Sequence, residues 1–189
     1  MSDTPAPDEP LHPLEQLPGD RMMWVLIISE LLVFGAGLAA FLGVRITDPA
    51  GFAEAQDALH RTGAGINTLV LVTSGFFAAL AVRMAEHGRR MATRGWLAAA
   101  SALGVVFLVI KGLEFLDKAR HGIGPDTHAF YTFYYLLTGF HAAHVVAGIV
   151  ILGLVSIHCK PRTVEVGAAF WHMVDLVWVL LFPVIYLLR

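Results

Sequence analysis

Three carboxylates, Glu30, Glu114 and Asp175, lie inside apolar stretches of this 189-residue chain. Three histidines, His141, His144 and His172, accompany them, with Lys111 and Thr138 close by in sequence. Carboxyl, imidazole and amine groups can hold or pass a proton, and imidazoles can also ligate metal. An ionised acid at the middle of a bilayer costs about 2.5–3.5 kcal/mol on insertion scales. Such a residue therefore pairs, faces protein, or serves an ion path.

Spacing narrows the choices. His172 and Asp175 stand three residues apart, so a helix projects both from one face. There an imidazole and a carboxylate can hydrogen-bond and limit each other's desolvation cost. His141 and His144 repeat the spacing, with Thr138 one turn earlier. Lys111 and Glu114 repeat it again, which predicts an ion pair; the alternative is a lysine that snorkels outward. A rise of ~1.5 Å per residue puts Glu30 roughly 12 Å and Asp175 roughly 10 Å from the same membrane face. The two acids can therefore face each other or a shared partner. By the same rise, His144 lies more than ~10 Å deeper than His172, too far for one iron. No metal site is expected within the chain. Each histidine can equally be a hydrogen-bonded packing residue, and Glu30 and Asp175 can be polar glue between helices.

The elements that position these groups are membrane helices. The chain is 57% hydrophobic, with a mean hydropathy of +0.67, against about 45–50% apolar in soluble domains. The apolar residues fall in five blocks: 22–44, 66–82, 96–116, 130–157 and 168–188. Only helix satisfies backbone amides within an isolated span. The expected fold is all-α, an integral membrane bundle of five transmembrane helices over residues 21–189. Residues 1–20 carry five prolines and five acids without Lys or Arg, which predicts a flexible acidic, Pro-rich tail and not a signal peptide. Asp48-Pro49 looks like a helix start, and Phe52, Ala55 and Leu59 share a face, so a short interfacial helix is expected there.

Small residues recur every four positions at Gly35, Ala39 and Gly43, and again at Gly139, Ala143 and Ala147. Such stripes predict close helix contacts. Trp171 is expected near the membrane interface, where an indole is at home. Net charge near zero leaves no basic surface for nucleic acid. Cys159 is the one cysteine, so there is neither an internal disulfide nor a thiolate cluster. Seven basic residues fall on the N-terminal side of the spans and five on the other, and four of the seven sit in one loop, at Arg83, Arg89, Arg90 and Arg94. The positive-inside rule then puts the N-terminus in the cytoplasm and the C-terminus outside.

Read in order, the segments resemble subunit III of the haem–copper oxidases. Ser29-Glu30-Leu31-Leu32-Val33-Phe34 is similar to that family's Ser-Glu helix. Asn67-Thr68 and Thr73-Ser74-Gly75 resemble its Asn-Thr start and Ser-Gly core, and Glu114-Phe115 its Glu-Tyr pair. Thr138-Gly139-Phe140-His141-Ala142-Ala143-His144-Val145, with Gly148, is very close to its two-histidine signature. Trp171-His172-Met173-Val174-Asp175-Leu176-Val177-Trp178, with Phe182 and Tyr186, matches its terminal helix. Larger members have two further helices before the Ser-Glu helix. The short form resembles quinol-oxidase third subunits and the accessory protein of nitric oxide reductase.

The resemblance implies a subunit with no redox centre of its own in a multi-pass complex of the bacterial inner (plasma) membrane, with its C-terminus periplasmic. Haem, with or without copper, would lie in the partner: catalytic subunit I, or the nitric oxide reductase catalytic subunit. The chain would bind phospholipid and support stability and proton uptake. Glu30 would be the family's buried acid, and Thr138, His141, His144, His172 and Asp175 would pin helices. Two rivals remain. One is a small proton-coupled transporter using Glu30 and Asp175, which would require broken midplane helices and a repeat. The other is a haem b subunit using His141 or His144, which a Soret band from the isolated chain would reveal.

Overall fold

The computed structural model of the chain describes residues 21–188. The expected acidic tail lies outside the described residues. Five helices are long and apolar enough to cross a membrane. They are α1 (Arg21–Arg45), α3 (Arg61–Glu86), α4 (Arg90–Arg120), α5 (Ala129–His158) and α6 (Pro161–Phe182); a short α2 (Pro49–Asp57) joins α1 to α3. Among the described residues there is no strand.

The helices run past the apolar blocks, because backbone hydrogen bonding continues beyond hydrocarbon until a cap or a forced turn ends it. Asp48 caps α2, its Oδ1 accepting from the Gly51 amide at 3.0 Å, and Pro49 follows at the first turn. The chain leaves α3 through Gly88 (φ 69°) and α4 through Gly122 (φ 72°), left-handed positions suited to glycine. Cys159 ends α5 in the same region at φ 51°. Pro183 ends α6 in a π-helical turn, closed by the Leu188 amide on the Pro183 carbonyl at 2.9 Å.

The small helix α2 buries Phe52 and Ala55, and Leu59, two residues past its end, is buried as well. The helix settles against α5, with Phe52 edge-on to Phe41 of α1 and Phe130 of α5. Helix α6 is the most enclosed of the five spans and α1 the least. Helix α6 packs against α3, α5 and α1, while α4 packs against α3 and α5.

Trp171 sets the centre of the bundle. It is 0% exposed, with its indole inside the bundle. Its ring presses on glycines of two helices. A Cβ at Gly104 of α4 would stand 2.6 Å from the indole, and one at Gly148 of α5 2.5 Å. Its Nε1–H donates to Ser74 Oγ at 2.9 Å, and that hydroxyl donates to the Ala100 carbonyl at 2.8 Å. One tryptophan thus ties α6 to α3, α4 and α5.

The two predicted small-residue stripes do not make the close contacts. Gly35, Ala39, Gly43, Ala143 and Ala147 are exposed. A Cβ at Gly35, Gly43 or Gly139 would meet nothing within 4 Å. Close approach falls at Gly75, Gly104 and Gly148 instead, each facing a large or charged side chain of α6.

Candidate functional site

The polar residues form separate clusters. Glu30 of α1 meets His144 of α5, with Oε2 and Nε2 3.1 Å apart. The two deep acids therefore do not face each other: Asp175 lies over α3. A Cβ at Gly75 would collide with the Asp175 carboxylate and stand 3.4 Å from His172 Nδ1. Gly75 is thus a seat for both side chains. His172 and Asp175 share a face, as their spacing requires, but their nearest atoms are 3.9 Å apart. That is too far for a hydrogen bond. The imidazole is half-exposed, and Asp175 Oδ1 is buried without a hydrogen-bond partner.

His141 and His144, three residues apart, go separate ways. His141 is 0% exposed, and its Nε2 reaches the Val174 carbonyl of α6 at 3.1 Å. A carbonyl only accepts, so this nitrogen carries the proton. Phe107 of α4 stands edge-on to the imidazole, and Trp178 of α6 lies tilted against it. His144 points toward α1. Thr138, expected to pair helices, instead donates to the Tyr134 carbonyl of its own helix at 2.5 Å. A threonine on a membrane helix can satisfy its hydroxyl this way within its own helix.

Lys111 and Glu114 form the largest polar cluster. The lysine does not snorkel; it is 2% exposed. Its Nζ donates to Glu114 Oε2 at 3.0 Å, to Tyr134 OH at 3.2 Å, and to Tyr186 OH. Three donors meet three acceptors, which leaves the ammonium fully used. Tyr186 in turn donates to Glu114 Oε1 at 3.0 Å. The rings of Tyr134, Tyr186, Trp178 and Phe115 lie 4.7–5.4 Å from the ammonium, within cation–π range.

Tyr186 reaches this cluster because its own turn is held. A π-helical end leaves carbonyls without intrahelical partners. Gln56 Nε2 takes the Ile185 carbonyl at 2.8 Å, Arg61 Nε that of Tyr186 at 3.1 Å, and Arg45 that of Leu188 at 2.5 Å. Three side chains from α1, α2 and α3 therefore fasten the last turn. Sequence reasoning passed over these three, and Tyr134 as well. Each sits in an element remote in sequence from its partner, and spacing rules report only neighbours on one helix.

Outside the membrane spans, His128 Nε2 meets Asp48 Oδ2 at 3.1 Å, while His128 Nδ1 accepts from the Phe130 amide at 3.1 Å. The Gly51 amide, and then His128, hold the Asp48 carboxyl below the usual carboxylate range.

Among the described residues, no three His, Cys, Asp or Glu side chains are grouped to hold a metal ion. What the arrangement does is join helices: α1 to α5, α6 to α3, α5 to α6, and α4 to α5 and the last turn.

The family model for cytochrome c oxidase subunit III matches residues 19–189. This chain belongs to that family. It is 30% identical over 176 residues to the cytochrome c oxidase subunit 3 of Corynebacterium diphtheriae, covering 87% of this chain and 86% of the relative. It is 29% identical to a probable cytochrome c oxidase subunit 3 of Mycobacterium tuberculosis, covering 87% and 85%. It is 27% identical to the cytochrome bo(3) ubiquinol oxidase subunit 3 of Pseudomonas putida, covering 87% and 83%. The subunit III family thus includes relatives named for both cytochrome c and quinol oxidases. The match takes in all the polar clusters, since each lies within residues 19–189.

Proposed function

We propose that this chain is the third, non-catalytic subunit of a bacterial haem–copper oxidase. It packs against a catalytic subunit I, which holds the haem and copper, and carries no redox centre itself. Its contribution is stability, with lipid binding and sustained proton uptake. The observation that carries this reading is the family match from residue 19 to the C-terminus, over a bundle whose buried polar groups are mostly spent on joining helices. Glu30 and Asp175 go to different helices, which supports a bundle over a transporter with one shared proton site. The basic residues support a cytoplasmic N-terminus and a periplasmic C-terminus in the inner membrane.

The test is purification of the tagged chain from its native membrane in mild detergent. A co-purifying haem–copper catalytic subunit is expected, with oxygen consumption that declines faster when the chain is deleted. Recovery without any haem protein overturns the proposal.

A further inference from the structure

We infer that the groove between α4 and α5 seats one phospholipid with an anionic headgroup, held at one end by Arg94. The inference rests on the lipid binding proposed above and gives it a place and a lipid class. On α4, Arg94, Ala98 and Val105 are spaced to share one face, as are Ile149 and Gly153 on α5. Between the two faces lies a cleft of about 390 Å³. Small residues keep it open. Ala98 and Ala102 are exposed, and a Cβ at Gly153 would meet nothing within 4 Å. At ~1.5 Å per residue, Arg94 to Val105 covers about 16 Å, roughly one leaflet of a ~30 Å hydrocarbon core.

The charge sits at one end of this groove. The last carbonyls of α5 have no partner within their helix. Arg94 takes two of them, Nε donating to Ser156 at 2.9 Å and Nη2 to Ile157 at 2.8 Å. These bonds fix the guanidinium and use two of its five N–H donors. Among the described residues, Nη1 makes no hydrogen bond and no carboxylate pairs with Arg94. Arg90, one turn earlier, is exposed, and its carbonyl lies 4.0 Å from Cys159 Sγ, which brings the exposed Lys160 to the same end. The acids of the adjoining helix ends, Glu86 and Glu165, are outnumbered there by Arg83, Arg89, Arg90, Arg94 and Lys160. A positive end on an apolar, leaflet-deep trough matches an amphiphile with one anionic end. The phosphate meets the remaining guanidinium donors, and an acyl chain lies along Ala98, Ala102 and Gly153. A helix of another protein would fill the trough only by bringing an acid of its own to Arg94.

The test uses the full chain as purified from its native membrane, with a photoreactive phosphatidylglycerol that carries a diazirine in its acyl chain. Cross-links are expected to concentrate on residues 98–105 and 149–156. Unlabelled phosphatidylglycerol should compete for them better than phosphatidylcholine, and inorganic phosphate should not compete. Arg94→Gln is expected to lower the labelling about fivefold, the effect of one basic residue at an anionic membrane surface. That change also releases the α5 carbonyls, so Ala98→Phe is the second variant. It fills the trough, leaves Arg94 on its two carbonyls, and is expected to abolish the labelling. Labelling spread evenly over the lipid-facing helices, or equal in Ala98→Phe and the unaltered chain, overturns the inference. So does a groove that stays unlabelled because a neighbouring protein covers it. The reading of the chain as an oxidase subunit fails separately, when no haem–copper subunit co-purifies.

Discussion

Trp171 of α6 and Ser74 of α3 meet at 2.9 Å, and neither side chain is exposed. Since Ser74 passes its own hydrogen to Ala100 of α4, the indole is the donor that completes Ser74. Trp171→Phe removes that donor and part of the ring that Gly104 and Gly148 accommodate. The expected loss is about 1–3 kcal/mol, the sum of one interhelical hydrogen bond and a small void. Thermal unfolding in detergent measures it, and an unchanged midpoint would show the contact to be idle.

The glycine positions give a paired test. Gly75→Ala places a methyl against the Asp175 carboxylate and is expected to destabilise by about 1–3 kcal/mol. Gly35→Ala meets open space and replaces a poor helix former, so it is expected to be neutral or to stabilise by up to about 1 kcal/mol. Equal effects of the two substitutions on unfolding would contradict this arrangement.

Lys111 and Glu114 call for a double-mutant cycle. Lys111→Met leaves Glu114 with Tyr186 as its remaining partner, an under-compensated charge costing about 3–5 kcal/mol. Adding Glu114→Gln removes the charge, and most of the loss is expected to return. A double variant no better than Lys111→Met would mean that the ammonium matters for reasons other than charge balance.

Asp48 gives a pH dependence. Its folded carboxyl titrates below its unfolded value, first because of the Gly51 amide and then His128. The stabilisation is therefore complete above the unfolded value, about 3.9, and disappears as pH falls through the lower folded one. Asp48→Asn is expected to flatten the acid limb of a melting-temperature profile below about pH 4. An identical acid limb in both proteins would contradict it.

Much of this architecture is legible in sequence. Apolar blocks long enough for hydrocarbon predict the five spans, and Asp48-Pro49 marks the start of α2. Spacing also brings Lys111 to Glu114, because both lie on one helix. What spacing cannot report is direction across helices. His141 and His144 look like a pair and serve α6 and α1 separately. The Gly35 stripe has the right period but lies on the outer face, because periodicity marks a face without saying what packs on it. Nothing in the local sequence marks Trp171 as the centre of the bundle. Its burial depends on two glycines, Gly104 and Gly148, in other helices.

The held π-helical turn bears on biosynthesis. Tyr186 follows Lys111, Glu114 and Tyr134 in chain order, yet it completes the coordination of Lys111 and receives Arg61 on its carbonyl. Until α6 and its π-helical turn are inserted, the four preceding membrane helices contain a lysine lacking one of its acceptors. A nascent chain stalled before Tyr186 would therefore expose a charged defect to lipid, a mark by which quality control can tell an unfinished copy from a finished one.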